Sequence, residues 1–237
     1  MKKSLEPLHV QYSYKSREVI INNSLLTSSQ DLTVQATVYN SDGTAKYHRT
    51  ATESVGPDAI KRCFAIPEIS GLDSLYFLRL ELKDKTAKTI SLNWYWLSKT
   101  KDSLNWKKST WFYTPQSAYT NYQGLQNLPQ TQIKISNTSE KSGAESIQHI
   151  RVTNTGKAIA FLVHLRVLKN KNGEDILPVI FDDNYLLLAP GETRNIDCRY
   201  LNKDAVGADP YILASAWNLD ESGSVAGKNI SFTNELK

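Results

Sequence analysis

Asp182-Asp183-Asn184-Tyr185 is the polar constellation whose residue types suit a ligand. Carboxylates accept hydrogen bonds, an amide donates and accepts, and an aromatic face packs on a pyranose ring, so the loop could hold sugar hydroxyls. The plainer reading is an Asx-type turn between two strands, with Tyr185 anchored in the core. A second cluster is aromatic: Trp106, Trp111 and Tyr113 lie in a stretch without strand periodicity. Flat side chains there suit a seam between two domains or a sugar platform, each burying roughly 150 to 250 Å². Nothing in the sequence forms a catalytic set. His9, His48, His149 and His164 have no metal-ligand spacing, and G-x-S-x-G, H-E-x-x-H and P-loop patterns are missing. Catalytic residues, metal and cofactor are therefore not expected. Cys63 and Cys198 fall in different halves and read as small buried hydrophobes.

Composition narrows the partners. A formal charge of +4 from 28 basic and 24 acidic residues, scattered along the chain, argues against a nucleic-acid stripe or a membrane-binding face. Apolar runs fall short of the roughly 20 residues that a membrane-spanning helix needs, and no apolar core follows the N-terminal lysines. A length of 237 residues exceeds one sandwich and points to two domains.

The elements that must carry these residues are strands. Leu32, Val34, Ala36 and Val38 alternate with polar residues, as do Tyr76, Leu78, Leu80 and Leu82. Ile90, Leu92, Trp94 and Trp96 also alternate, which puts both tryptophans on a core-facing side. Turn signals recur at Asn40 to Gly43, Gly56 to Asp58, Pro67 and Asp84 to Lys88, the succession of short strands expected of an immunoglobulin-like sandwich. Residues 113–129 turn polar and aromatic, and a short helix is expected around Tyr119 to Gln126. Beyond Pro129 a second set of strands runs through Ile133, Ile147 to Thr153, Phe161 to Val167, Ile176 to Phe181, Tyr185 to Leu188, Ile196 to Tyr200 and Tyr211 to Trp217. Pro190-Gly191 suits a type II turn, and Asn229 to Thr233 reads as an edge pairing or a loose end. The fold class is all-β: two tandem immunoglobulin-like antiparallel β-sandwiches, residues 1–112 and 130–237, joined by a linker over 113–129.

Two passages resemble a known family. Asn93-Trp94-Tyr95-Trp96-Leu97-Ser98, Asp102-Ser103-Leu104-Asn105-Trp106 and Ser109-Thr110-Trp111-Phe112-Tyr113-Thr114-Pro115 resemble a passage near the C-terminal end of glycoside hydrolase family 2 enzymes. The nearest branch is that of exo-β-D-glucosaminidases and β-mannosidases. Leu177-Pro178-Val179, Asp183-Asn184-Tyr185 and Leu188-Ala189-Pro190-Gly191-Glu192 are similar to that branch's last immunoglobulin-like domain. The resemblance implies non-catalytic accessory domains beside a catalytic barrel whose two glutamates lie elsewhere, the acid/base after an asparagine. Asn234-Glu235 matches that dipeptide but stands in a polar tail with no strand before it, and is read as chance. Also implied are the barrel and other domains of the same parent as partners, an oligosaccharide as ligand, and a periplasmic or secreted parent. An independent carbohydrate-binding or adhesion module is the alternative. Three sequons, at Asn22, Asn137 and Asn229, matter only if the source glycosylates secreted proteins.

Overall fold

The computed structural model describes residues 5–171 and 173–219 and the backbone of Val225–Ala226 and Lys228–Asn229. The chain divides into two compact units, residues 1–127 and 128–237. Asn234-Glu235 and residues 230–233 lie outside the described residues.

In the first unit, β1 (Leu8–Tyr12), β2 (Glu18–Asn23) and β5 (Ala59–Ala65) form a three-stranded antiparallel sheet in the order β1-β2-β5. It packs on a four-stranded sheet in the order β4-β3-β6-β7, made of β3 (Ser29–Asn40), β4 (Ala45–Val55), β6 (Leu75–Lys83) and β7 (Thr89–Ser98). Val10, Val19 and Ile21 on one side meet Leu32, Val34, Ala36, Val38, Leu78, Leu80 and Leu82 on the other. The period-2 pattern of β3 and β6 places these side chains on one face. Gly43, at φ +84°, closes the β3–β4 hairpin, and its N–H donates to Asn40 O at 3.0 Å.

Strand β7 corrects one expectation. Its register sets Tyr95 opposite Leu78 and Asn93 opposite Leu80, so Ser91, Asn93 and Tyr95 share the core side, while Trp94 and Trp96 point the other way. Trp94 stacks on Tyr39 with centroids 5.8 Å apart, and the Arg79 guanidinium lies 6.0 Å from its ring. Trp96 is 38% exposed. The inward polar residues are explained by β1, which among the described residues is an edge strand of its sheet. Ser91 Oγ accepts from Val10 N at 3.3 Å, Asn93 Nδ2 donates to Val10 O at 2.6 Å, and Tyr95 OH accepts from Tyr12 N at 3.1 Å. Side chains thus satisfy groups that would be costly to bury unpaired.

Residues 99–127 belong to this first unit. They hold a two-stranded ribbon, β8 (Ser103–Leu104) with β9 (Gln116–Ala118), and 3-10 turns at Trp106–Lys108 and Gln123–Asn127. The expected helix over Tyr119 to Gln126 is thus a 3-10 turn that starts four residues later. Gly124 sits so close to Leu75 that an added Cβ would lie 3.0 Å from the leucine Cβ.

The second unit has a five-stranded sheet, β13-β15-β11-β10-β18, and a four-stranded one, β14-β12-β16-β17. The strands are β10 (Ile133–Ser142), β11 (Glu145–Asn154), β12 (Ala160–Leu168), β13 (Ile180–Phe181), β14 (Leu186–Leu188), β15 (Thr193–Leu201) and β16 (Tyr211–Ser215), then β17 (Val225–Ala226) and β18 (Lys228–Asn229). Both sheets send apolar side chains inward, among them Ile150, Val152, Val163, Leu165, Ile196 and Ile212. The strand expected over Ile176 to Phe181 shrinks to β13, with Ile176 buried in the approach to it. Pro190-Gly191 forms its turn with Gly191 at φ +76° and Glu192 N donating to Ala189 O at 3.0 Å. Two buried asparagines tie the sandwich. Asn154 Nδ2 donates to Ala158 O and Leu188 O, while Asn218 Nδ2 donates to Pro129 O and Ile159 O and its Oδ1 accepts from Phe161 N.

Candidate functional site

The Asp182 to Tyr185 loop leads from β13 to β14, and its residues divide into anchors and an exposed face. Asn184 is an anchor: Oδ1 accepts from Leu165 N at 2.8 Å and Nδ2 donates to Leu165 O at 2.9 Å. Asp183 accepts from Arg194 Nη2 at 3.0 Å through Oδ2, and from Asn184 N at 3.0 Å through Oδ1. Asp182 begins the turn with its N–H donating to Asp197 O at 2.8 Å. Tyr185, at φ +55°, lies outside the core and is 58% exposed. Its ring lies flat on His164, with centroids 4.5 Å apart and planes at 6°.

His164 stands on the outward side of β12, opposite Ser215 of β16. Burial, then the charge of Arg166, hold its pKa below the ordinary 6.5, so the imidazole under Tyr185 is neutral near pH 7. Arg166 is itself engaged by Asp175 through two bonds, Nε to Oδ1 at 2.9 Å and Nη2 to Oδ2 at 2.7 Å. Trp217 continues the chain past Ser215, donates its N–H to Phe161 O and is 60% exposed. Tyr185 and His164 therefore leave a flat aromatic surface open on this side of the sheet, a shape that suits the C–H face of a sugar ring. The stack could not be foreseen, because His164 and Tyr185 are twenty-one residues apart and are brought together by the β12–β14 pairing and the Asn184–Leu165 hydrogen bonds.

The aromatic stretch behaves differently from a filled gap. Trp106, Trp111 and Tyr113 are 72%, 94% and 59% exposed, so the first unit itself does not bury them. The segment is shaped by its own backbone and hydroxyls, with Thr110 N donating to Tyr113 O at 2.8 Å and Ser109 Oγ 2.7 Å from Thr114 Oγ1. Trp111 meets its neighbour Phe112 edge-on at 5.0 Å.

The remaining reactive groups are structural. Cys63 and Cys198 are free thiols that burial pushes up to about 11 and about 12, leaving them protonated and poorly nucleophilic. Among the described residues no group of three or more His, Cys, Asp or Glu could hold a metal. His9 pairs with Asn93, His48 bridges Thr37 and Thr50, and His149 faces Asp197 at 2.8 Å. The sequon at Asn137 is closed to glycosylation in the folded chain, since the side chain is 2% exposed and donates to Gln148 Oε1.

Residues 111–219 match the family described as the exo-β-D-glucosaminidase Ig-fold domain. Over these residues the chain is similar to that family. The exo-β-D-glucosaminidase of Amycolatopsis orientalis is 40% identical over 92% of the chain, and that of Streptomyces avermitilis 35% identical over 93%. The crystal structure of the Amycolatopsis orientalis exo-chitosanase superposes with a TM-score of 0.86 at 37% identity, covering 95% of this chain and 27% of that one. The similarity thus extends across the first sandwich as well as the Ig-fold domain. This chain spans only 21% and 25% of the two curated relatives, and so corresponds to an immunoglobulin-like accessory part of such enzymes.

Proposed function

We propose that the chain is the pair of non-catalytic immunoglobulin-like domains of an exo-acting β-glycosidase of glycoside hydrolase family 2, working beside a catalytic barrel of the same protein. The observation that carries this reading is similarity over nearly the whole chain to enzymes of which it forms about a quarter or less. The substrate class that follows is a β-linked glucosamine oligosaccharide, with β-mannoside as the neighbouring possibility, and the parent would be periplasmic or secreted. Trp106, Trp111 and Tyr113 take the role of a seam whose opposing surface is contributed by the rest of that parent. Asp182, Asp183, Asn184 and Tyr185 form its substrate-facing loop, with Asn184 and Asp183 holding the turn and Tyr185 offering a ring face.

An independent carbohydrate-binding module is the second reading, favoured by the open Tyr185–His164 stack. The coding sequence on either side of this chain separates the two. A flanking eight-fold strand–helix repeat carrying paired glutamates supports the accessory reading. Purified chain should not turn over p-nitrophenyl β-D-glucosaminide or β-D-mannoside. Turnover abolished by Glu235→Gln would sink the proposal and make Asn234-Glu235 a catalytic motif.

A further inference from the structure

The first unit holds a pocket of about 240 Å³ to which four tyrosines contribute. Tyr12 ends β1 and Tyr14 lies in the turn after it, Tyr76 comes from β6, Tyr122 from the stretch before the 3-10 turn, and Lys101 and Asp102 from the chain leaving β7. Tyr95 props the first two. Its hydroxyl accepts from Tyr12 N, and its ring meets Tyr12 and Tyr14 edge-on at 5.8 and 6.0 Å, while those two meet at 5.5 Å. Asp102 and Thr120, also in the lining, are tied together, Asp102 Oδ1 accepting from Thr120 N at 2.8 Å.

This is more aromatic surface than the fold requires, because Tyr14 and Tyr122 remain 64% and 41% exposed beside the cavity. Burial raises the pKa of Tyr12, Tyr14 and Tyr76 above the ordinary 10, so their hydroxyls stay neutral and can both donate and accept. The volume falls below the roughly 300 to 1,000 Å³ of clefts for drug-sized ligands, which limits the occupant to a single ring. A purely apolar occupant would desolvate Lys101 and Asp102 without repaying them in hydrogen bonds. An anion would meet the Asp102 carboxylate and the negative faces of the rings. A pyranose offers what the walls lack: a C–H face for the tyrosines, and hydroxyls that accept from lysine and donate to aspartate.

We propose that this tyrosine-lined pocket binds one hexopyranose unit of an oligosaccharide, at a site separate from the Asp182 to Tyr185 loop. Only the choice of probe rests on the reading of the parent enzyme.

Titration of the whole chain with a glucosamine tetramer and with mannotriose, followed by amide NMR shifts, tests it. Saturable shifts at Tyr14, Lys101 and Tyr122 are expected. The double variant Tyr14→Ala/Tyr122→Ala should weaken binding at least about tenfold, Tyr14→Phe/Tyr122→Phe less so, and Tyr185→Ala should leave these shifts in place. Both tyrosines are largely outside the core, so an unchanged melting curve is expected to show that the variant folds. Absence of saturable binding by either sugar, or binding that survives the double alanine variant, would overturn the proposal. Failure here with hydrolysis by the longer protein would remove the pocket alone. Sugar binding here without such hydrolysis would leave the pocket and remove the glycosidase reading.

Discussion

Asn184 and Leu165 form a strand pair in which one partner uses its side chain. The β12–β14 ladder sets Val163 opposite Leu186, and the next position in that register would set Leu165 opposite Asn184. There the loop has turned away, with Tyr185 at positive φ, and the Asn184 amide supplies the two hydrogen bonds that backbone would have made. The same device recurs in the first unit, where Ser91, Asn93 and Tyr95 serve the edge strand β1.

Asn184→Ala should therefore strand Leu165 N and O together, costing about 1 to 3 kcal/mol. Asn184→Asp should be no better, because a carboxylate cannot donate to Leu165 O. Thermal melts of both variants, with hydrogen exchange at the Leu165 amide, check this. A melt matching wild type for either would show that Asn184 is dispensable to the turn.

Gly156 offers a steric test in the second unit. A Cβ there would overlap Thr131 Oγ1 and lie 2.7 Å from Gln132 N. Thr131 cannot swing aside freely, since its hydroxyl donates to Asn154 Oδ1 at 2.8 Å. Gly156→Ala should cost about 1 to 3 kcal/mol, as overpacking does. Gly143→Ala is a useful contrast, because open space surrounds it and only its φ of +61° opposes the change. Equal melting temperatures for Gly156→Ala and wild type would contradict the close approach.

The two-sandwich, all-β character could be read from alternation alone, because Leu32 to Val38 and Phe161 to Val167 each have one clear apolar side. Strand β7 could not, because its core side carries Ser91, Asn93 and Tyr95, polar groups recruited to serve an edge strand more than eighty residues earlier. Apolar alternation there gave the opposite phase. The site showed the same limit. Asp183 and Asn184 could be recognised as turn-formers from type and spacing, whereas the stack of Tyr185 on His164 and the meeting of Tyr12, Tyr76 and Tyr122 depend on long-range topology. The position of Trp106 and Trp111 outside the strand period suits a seam or a sugar platform alike, and choosing between them needs the opposing surface, which their own unit does not supply.

His149 gives the pH prediction. The hydrogen bond with Asp197 is the main cause that raises its pKa above 6.5; partial burial opposes it, and the charges of Asp197 and Glu140 assist. A raised folded-state value means stability that is fully present below pH 6.5 and lost as pH rises through the folded pKa. His164 pulls the other way, its pKa being lowered, so its neutral form favours the fold above 6.5 and that stability is lost on acidification. The comparison should therefore be wild type against Asp197→Asn, which alters the His149 contribution and leaves that of His164 in place. The variant should lose less than about 1 kcal/mol, as for an exposed pair, and the loss should be larger near about pH 5.5 than at about pH 8. A loss independent of pH would assign Asp197 a role unrelated to the imidazolium.

Trp111→Ala is the test that bears most directly on function. At 94% exposure the ring contributes little to this chain, and its removal should change stability by no more than about 0.5 kcal/mol, as for other surface positions. In the longer protein of the proposed function, the same ring should be buried against another domain, and its loss there should cost about 3 to 5 kcal/mol. Differential scanning calorimetry of both forms reads the contrast. A silent substitution in the short chain with a lowered, less cooperative transition in the long one supports the seam. A silent substitution in both, together with weakened oligosaccharide binding, would replace the seam with a sugar platform and favour the independent binding module.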